Sequence, residues 1–350
     1  MRASDELLTD LLQSVSRSFY LTLRVLPDGV RKPIGLAYLL ARAADTIADT
    51  SLLPPARRLQ FLLSFREQVQ GEIDVHALRH IEAALTLHQM DSSERNLLQS
   101  LGPALELLST LQPDDRASVR HVVNVLTQGM ELDLRAFPRE NSGRVSALQT
   151  PSELDRYTYL VAGCVGEFWT QMTMRHVPAL RIWDEAAMSQ CGIRFGKALQ
   201  YTNVLRDCAK DLRIGRCYIP WTLLQDRALD LDDLLKPESS VRARPLLFQL
   251  MRAAMEHYRE AIRYTLAIPP QCGRLRLACL WPVLIGLETL ALLAQNEAWL
   301  DPAQPSKIPR NRVYLLIGLS LPVAGTQIIL SHWLDEKMRA VESLIRDHAD

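Results

Sequence analysis

Apolar residues recur along this chain at the three- and four-residue spacing of an amphipathic helix. Two clear faces consist of leucines: Leu7, Leu8, Leu11 and Leu12 near the start, and Leu97, Leu98, Leu101, Leu105 and Leu108 further on. No convincing run alternates in the way that a half-buried strand does, and proline and glycine fall mostly between the periodic blocks. The sequence therefore predicts an all-α fold, with about a dozen helices joined by short loops.

Composition narrows the class of protein. Of 350 residues, 48% are hydrophobic and 23% are charged, which provides for a sizeable core and argues against disorder. Lys+Arg and Asp+Glu each number 40, so the formal net charge is zero. A nucleic-acid-binding protein would carry a basic excess to meet phosphates, so we expect no nucleic-acid partner.

The cysteines and the first residues bear on the compartment. The six cysteines show neither a CxxC pair nor zinc-site spacing, and are expected to be small buried side chains in a reducing compartment. They are Cys164, Cys191, Cys208, Cys217, Cys272 and Cys279. Residues 1–12 are predicted to form an acidic amphipathic helix and lack the features of a signal peptide. We therefore expect a cytoplasmic protein.

The last part of the chain changes character. Residues 301–312 form a Pro-rich, basic connector, and residues 313–334 contain no Asp, Glu, Lys or Arg. The uncharged stretch is long enough to span a bilayer, although its Gly, Ser, Pro, Gln and His residues lower its hydropathy. Two consecutive core helices broken near Pro322 are favoured over a membrane span. Residues 275–294 are also mostly apolar and are predicted to form a buried helix.

Two groups of oxygen-bearing side chains repeat every four residues, so each group lies on one helix face. Asp45 and Asp49 form the first group, and Asn203, Asp207 and Asp211 the second. Both lie in apolar surroundings, where carboxylates repel each other unless cations neutralise them. One such pair alone is usually a solvated surface, but two favour a shared role. Mg²⁺ fits because it takes oxygen ligands, and two such faces opposed across a cavity would hold it with one or two diphosphates.

Donors that a diphosphate needs accompany these groups. Arg42 lies three residues before Asp45, Arg206 directly precedes Asp207, and Ser16-Arg17-Ser18 stands upstream. Taken singly, each is better explained by a surface salt bridge or hydrogen bond, and Ser16 also fits a helix N-cap.

A third block, residues 157–166, contains small residues at helical spacing. Glycine in a helix costs about 1 kcal/mol relative to alanine, so Gly163 and Gly166 predict a close approach of another helix or of a long apolar ligand. Tyr157, one turn from Val161, is a candidate to direct its phenol into the same cavity, or is simply a buried tyrosine.

Together these blocks resemble the head-to-head condensing prenyl diphosphate enzymes, the squalene, phytoene and dehydrosqualene synthases. Ser16-Arg17-Ser18-Phe19 resembles the family's SRSF motif, and residues 38–49 resemble its first aspartate motif. Residues 157–166 resemble its YxxxVAGxVG block, and residues 199–220 resemble LQxTNxxRDxxxD followed by GRxYxP. The resemblance extends over most of the chain, and four motifs in register are highly specific.

The resemblance implies a single-domain helical bundle around a central apolar channel. Residues 1–312 would be the catalytic domain, and residues 313–350 helices packed on it. The implied metal ligands are Asp45, Asp49, Asn203, Asp207 and Asp211. The implied catalytic residues are Tyr38, Arg42 and Tyr157, the last in proton transfer. The implied substrate contacts are Ser16, Arg17, Ser18, Phe19, Arg42, Val161, Gly163, Gln200, Arg206 and Arg216.

The chain departs from the family at three acidic positions. The family often has a further acid inside or beside each aspartate motif, whereas Ala48, Thr50 and Lys210 stand there. Any additional metal-bridging carboxylate is therefore in doubt. Lys210 either contacts a phosphate or faces solvent.

The product is predicted from finer similarities. The segment ARAADTIADT is more like the squalene-forming members, and SKIPRNR (residues 306–312) resembles their basic segment near NADPH, which implies Lys307 and Arg310 as cofactor contacts. GRCYIP is closer to the phytoene-forming members, and no GxGxxG follows a strand.

We therefore expect a monomeric enzyme that makes squalene from two farnesyl diphosphates with Mg²⁺ and NADPH, with a peripheral membrane contact through residues 313–334 left open. The alternatives are phytoene or dehydrosqualene formation without reduction, a class I terpene cyclase, and a non-catalytic helical lipid-binding protein.

Overall fold

Helices dominate the computed structural model, which describes residues 11–16, 19–50, 52–86, 91–138 and 140–347. These residues divide into two compact units. The first comprises Met1–Pro138 and Phe168–Trp183, and the second Arg139–Glu167 and Asp184–Asp350. The predicted all-α class is confirmed. Most of the predicted N-terminal helix falls outside the described residues.

The first unit begins with a run of helices. They are α1 (Leu12–Ser16), α2 (Phe19–Val25), α3 (Asp28–Asp49), α4 (Pro55–Gln70), α5 (Val75–Thr86), α6 (Ser92–Gln99), α7 (Leu101–Ser109) and α8 (Pro113–Ala136). α3 is the central helix of this unit and packs along α4 and α8 through a buried apolar face that includes Val30, Ile34 and Leu40. At its C-terminal end the buried Arg58 donates Nη1 to the Ala48 carbonyl at 2.7 Å, which fixes the last turn.

The next segment of the chain belongs to the second unit up to Glu167 and to the first unit from Phe168 to Trp183. It contains β1 (Ser146–Ala147), α9 (Pro151–Thr158), a π-helical turn (Tyr159–Gly163), α10 (Cys164–His176) and a 3₁₀ turn (Pro178–Leu180). In the first unit, Asp115 in the first turn of α8 accepts hydrogen bonds from Arg175 Nη1 at 2.8 Å and from His176 Nε2 at 2.9 Å. This buried carboxylate ties the end of α10 to the start of α8.

The regular elements in the rest of the second unit are helices and one short strand. Its elements are α11 (Glu185–Arg213), β2 (Arg216–Cys217), α12 (Trp221–Gln225), α13 (Leu231–Leu234), a 3₁₀ turn (Pro237–Ser239), α14 (Ser240–Ala267), a 3₁₀ turn (Pro270–Cys272), α15 (Gly273–Gln295), α16 (Arg310–Val323) and α17 (Gln327–Asp347). α11 and α14 pack along each other over most of their length, and α15 packs against both.

α15 is a core helix. Within the described part of the chain, Pro270–Gln295 is the one helix long and apolar enough to cross a membrane, but 72% of its apolar window is buried by the protein. Leu280, Leu284 and Leu290 are fully buried. The prediction of a buried helix over residues 275–294 therefore agrees with the structure.

The uncharged stretch 313–334 forms two helices, but the prediction that both are core helices is wrong for their outer side. α16 continues through Pro322, and the break comes at residues 324–326. α16 and α17 both pack on α15. The outer side chains remain in solvent: Tyr314 is 64% exposed, Leu319 52% and Ile328 83%.

Two parallel two-residue strands are the sheet content of the described residues. Ser146 pairs with Arg216, and Ala147 pairs with Cys217. Sequence periodicity cannot detect elements of this length, since alternation needs at least four residues to be seen. The pairing fixes the segment that follows α11.

Glycines allow α11 to approach the π-helical turn and α10 closely. A Cβ at Gly166 would lie 1.8 Å from the Gly192 carbonyl oxygen, and one at Gly196 would lie 2.1 Å from that of Ala162. These distances are far inside van der Waals contact, so only glycine fits at either position. Of the two readings of the small residues in this block, helix packing therefore accounts for Gly166.

Gly166→Ala is expected to lower the free energy of unfolding by about 3 kcal/mol, because the new methyl group must push apart two packed helices. Gly318→Ala is the matched control, since nothing lies within 4 Å of a Cβ there and alanine favours the helix. Denaturant unfolding followed by circular dichroism measures both. A Gly166→Ala protein as stable as the parent would contradict the close contact.

Candidate active site

The first acidic group lies at the C-terminal end of α3. Asp45 is partly buried and Asp49, one turn later, is exposed. The pKa of Asp45 is raised to about 6, first by removal of the carboxylate from water and then by repulsion from Asp49. Two like charges on one helix face thus create a site that favours a cation.

Arg42 neutralises part of this charge. Its Nη1 donates to Asp45 Oδ2, and its Nη2 donates to Glu94 Oε1 on α6. The neighbouring carboxylates raise the pKa of Arg42 against the opposing effect of burial, so the guanidinium stays charged. Sequence reasoning missed Glu94, because the run Asp91-Ser92-Ser93-Glu94 has the pattern of an ordinary helix start.

The other predicted residues of the first unit are less fully described. Tyr38 lies one turn before Arg42, and its hydroxyl donates to the Val15 carbonyl at 3.5 Å. Ser16 and Phe19 end α1 and begin α2, with only their backbones described. Arg17 and Ser18 fall outside the described residues. The predicted roles of these residues stay predictions.

The second acidic group lies near the C-terminal end of α11. Asn203, Asp207 and Asp211 are partly buried at successive turns, and Arg206 donates Nε to Asp207 Oδ1 at 3.0 Å. The pKa of Asp211 is raised to about 7, by burial first and by the Asp207 carboxylate second. Lys210 is exposed, which agrees with the reading that it faces solvent.

Arg216 borders this second group from β2. Its Nη2 lies 3.1 Å from Glu140 Oε2, in an ion pair whose side chains are 13% and 8% exposed. Arg216 lowers the pKa of Asp211, although not enough to overcome burial and Asp207. The sequence did not point to Glu140, because this residue belongs to none of the motifs and lies in a loop.

Tyr157 is 5% exposed and stacks on Tyr218, with ring centroids 4.7 Å apart. Gln200 Nε2 donates to the Tyr157 hydroxyl at 3.5 Å, and Asn203 Nδ2 donates to Gln200 Oε1 at 3.4 Å. These long hydrogen bonds connect the phenol to the second acidic group.

The π-helical turn lies between Tyr157 and Gly166, the glycine that packs against Gly192. Such turns are frequent at functional sites. Val161 is partly buried in it, and Gly163 lies against Ile193 of α11. Tyr159 donates its hydroxyl to Glu167 at 3.2 Å; burial first and the Glu167 carboxylate second raise its pKa to about 12.

The remaining predicted contacts, Lys307 and Arg310, lie in the connector and at the start of α16. Both are exposed. Their assignment to a cofactor stays a prediction.

The donor chemistry of both acidic groups suits Mg²⁺. In the described residues, no three His, Cys, Asp or Glu side chains form a ready cation cage. Mg²⁺ does not require one, because one or two carboxylates bind it together with water and substrate phosphates. Carboxylates whose pKa is raised by neighbouring carboxylates gain most from such a cation.

Comparison with known proteins decides the family. The sequence profile of the squalene/phytoene synthase family matches residues 12–312. The chain belongs to the squalene/phytoene synthase family.

Relatives from both branches of this family are similar to the chain. The squalene synthase of Eremothecium gossypii is 26% identical over 93% of this chain and 69% of its own length, and that of Saccharomyces cerevisiae has the same identity and shares. The bifunctional lycopene cyclase/phytoene synthase of Colletotrichum graminicola is 28% identical over 71% of this chain and 40% of its own length.

Solved structures share the fold. The squalene synthase TcSQS in complex with a ligand has a TM-score of 0.76 at 20% identity, covering 100% of this chain and 98% of its own. A dehydrosqualene synthase in complex with a ligand has a TM-score of 0.62 at 18% identity, covering 91% and 96%. The squalene synthase type of helical fold is therefore confirmed, and as a family member the chain is a prenyltransferase.

Asp211→Asn is expected to raise the melting temperature of the metal-free prenyltransferase at pH 8 by on the order of 2 °C. The folded protein holds the Asp211 proton to about pH 7, whereas the ordinary pKa is 3.8. The stability of the parent therefore falls as the pH rises from about 4 to about 7. Asparagine has no charge to bury, so the variant avoids this loss at pH 8. At pH 5 the folded parent still holds the Asp211 proton, so the rise in melting temperature should be smaller.

Thermal unfolding at pH 5 and pH 8 measures this difference. Glu238→Gln, at an exposed carboxylate on the same unit, is the control and should change neither value. An Asp211→Asn protein that is less stable than the parent at pH 8 would show that the carboxylate is not repelled in the folded state.

Proposed function

We propose that this prenyltransferase is a squalene synthase that joins two farnesyl diphosphates head to head and reduces the product with NADPH. The observation that carries the proposal is the extent of similarity. The squalene synthases of Eremothecium gossypii and Saccharomyces cerevisiae match 93% of the chain, whereas the bifunctional lycopene cyclase/phytoene synthase of Colletotrichum graminicola matches 71%. The basic connector with Lys307 and Arg310, which resembles the segment near NADPH, supports the same assignment.

Diphosphate departure is the first chemical task. Asp45 and Asp49, and likewise Asn203, Asp207 and Asp211, would hold Mg²⁺, which would supply positive charge to a leaving diphosphate. Arg42 and Arg206 already point donors at the acidic groups, so they are placed to bind phosphate oxygens as well. Ser16, Arg17 and Ser18 would add donors from the start of the chain.

The allylic cation left behind needs shelter from water and a route for a proton. Tyr157 offers a phenol in an apolar setting, stacked on Tyr218 and hydrogen-bonded to Gln200. We assign it to the proton that the second chain loses when the cyclopropyl intermediate, presqualene diphosphate, forms. The released diphosphate is the final acceptor. NADPH would then deliver hydride to the cation formed by the second ionisation.

Product analysis by mass spectrometry tests this assignment. Purified protein with farnesyl diphosphate, Mg²⁺ and NADPH should yield squalene, and without NADPH presqualene diphosphate or dehydrosqualene should replace it. Dehydrosqualene formed equally with and without NADPH would contradict the reductive step. Phytoene from a longer prenyl diphosphate would favour the branch that GRCYIP resembles.

A double variant in the basic connector tests the reductive step. Lys307→Ala with Arg310→Ala is expected to lower the squalene fraction at least about fivefold while consumption of farnesyl diphosphate continues, because only the cofactor loses contacts. Arg252→Ala, at an exposed arginine of α14, is the matched control. Equal squalene fractions in all three proteins would remove these residues from the cofactor site.

We also propose that this protein is a cytoplasmic monomer that rests on a bilayer through its C-terminal apolar surface. This surface consists of the exposed side chains Tyr314, Leu315, Leu319, Leu321, Ile328 and Ile329. Soluble monomers seldom expose so many neighbouring large apolar residues without a partner.

Lipid is the occupant that the chemistry favours. No acidic side chain occurs from residue 313 to 334, while Arg310 and Arg312 precede the surface on α16. Cations and a tyrosine bordering an apolar helix face are typical of a helix lying in the membrane interface. α16 also buries Ser320, which accepts from Trp281 Nε1 at 2.9 Å, and it buries Leu316 but exposes Leu315, Leu319 and Leu321. A soluble surface helix ordinarily presents polar side chains to solvent.

Vesicle flotation tests the surface. The double variant Leu319→Gln, Ile328→Gln should bind phosphatidylcholine–phosphatidylglycerol vesicles at least about tenfold more weakly, because two large apolar side chains no longer enter the lipid. Val241→Gln, at a valine on α14 that is 66% exposed, should bind like the parent. Size-exclusion chromatography with light scattering completes the test. A dimer that the double variant alone abolishes would identify a second copy, not lipid, as the occupant.

A further inference from the structure

Glu94 stands out among the charged groups that the proposed reaction does not use. Its carboxylate comes from α6 and reaches across to Arg42, 52 residues earlier in the chain. Both side chains are largely covered: Glu94 is 24% exposed and Arg42 29%. Glu94 is the third carboxylate beside the first acidic group, and it stands outside the family motif.

The local sequence does not explain this contact. Asp91 is the N-cap of α6, and its Oδ1 accepts from the Ser93 amide at 2.7 Å. Glu94 is at the third helical position, from which a glutamate ordinarily reaches back to its own N-cap. Its Oε1 instead accepts from Arg42 on another helix.

The geometry of the Arg42 guanidinium explains what its contact with Glu94 can do. Arg42 presents two terminal nitrogens, and each donates to a different carboxylate: Nη1 to Asp45 and Nη2 to Glu94. A planar guanidinium held at one nitrogen keeps the direction of the other. If Asp45 turns to a metal ion, Nη1 is released while Nη2 remains held.

We propose that Glu94 is a positioning residue, which anchors Arg42 so that Nη1 is presented to the substrate diphosphate when Asp45 engages Mg²⁺. The inference rests on the proposed function, because it needs a diphosphate and a cation at the first acidic group. Through Arg42, Glu94 supplies a fixed negative charge beside a motif where Ala48 and Thr50 replace the family's usual acids.

Calorimetric binding of inorganic pyrophosphate with Mg²⁺ tests the proposal without turnover. Glu94→Ala is expected to weaken binding about tenfold, because the arginine loses its fixed direction. Glu94→Asp should recover part of the affinity, since it retains the charge. Glu106→Gln, at an exposed glutamate of α7 in the same unit, is the control and should bind like the parent.

A double-variant cycle separates positioning from a merely structural tether. Arg42→Ala weakens binding by itself, and adding Glu94→Ala should cost no further affinity if Glu94 acts through Arg42. Additive losses would overturn the proposal, as would Glu94→Ala affinity equal to the parent. Melting temperatures check that each variant is folded, and a tether alone would shift them without changing affinity.

Pyrophosphate binding distinguishes a failure of the proposed function from a failure of the role of Glu94. If the parent protein binds no pyrophosphate in the presence of Mg²⁺, the proposed function fails. If the parent binds and the Glu94 variants bind equally well, the positioning role alone fails.

Discussion

Repulsion between like charges is the constraint on which the functional part of this molecule depends. Asp45 beside Asp49, and Asp207 beside Asp211, place carboxylates one turn apart on helices whose other faces are buried. Burial raises the pKa values of Asp45 and Asp211 most, and the repulsion from Asp49 and Asp207 raises them further. A protein that needed only stability would not retain this arrangement, so the two groups are interpreted as sites whose free energy is recovered when a cation binds.

Each unit contains an arginine beside its acidic group that also contacts a glutamate. In each, an arginine beside the acidic group is held by a glutamate from another element: Arg42 by Glu94, and Arg216 by Glu140. Neither glutamate belongs to the motifs that identify the family. The arginines are therefore directed by their surroundings and not by the acidic groups alone, which suits the substrate-binding role proposed for them.

Sequence predicted the all-α fold and placed the carboxylates of each acidic group on one helix face, because helical periodicity and four-residue spacing are local properties. It could not predict contacts that depend on the tertiary structure. In sequence, Glu94 resembles part of a helix cap, and Glu140 belongs to no motif. Leu319 and Ile328 are exposed, whereas their hydropathy predicts that they are buried. In sequence, Gly166 fits a ligand contact and a helix contact equally well, and only the approach of the Gly192 backbone in the folded chain distinguishes them.

The buried Arg276 has a consequence for the end of the chain. Its guanidinium, fully removed from solvent, donates to the Ile268 carbonyl after α14, to the Ala324 carbonyl at 3.0 Å and to Gln327 Oε1 at 2.6 Å. Trimming the protein at the basic connector would strip a buried cation of two acceptors and bare the side of α15 beneath them. The last helices therefore complete the packing of the second unit, and the apolar side chains that they expose stand on helices anchored to its buried core.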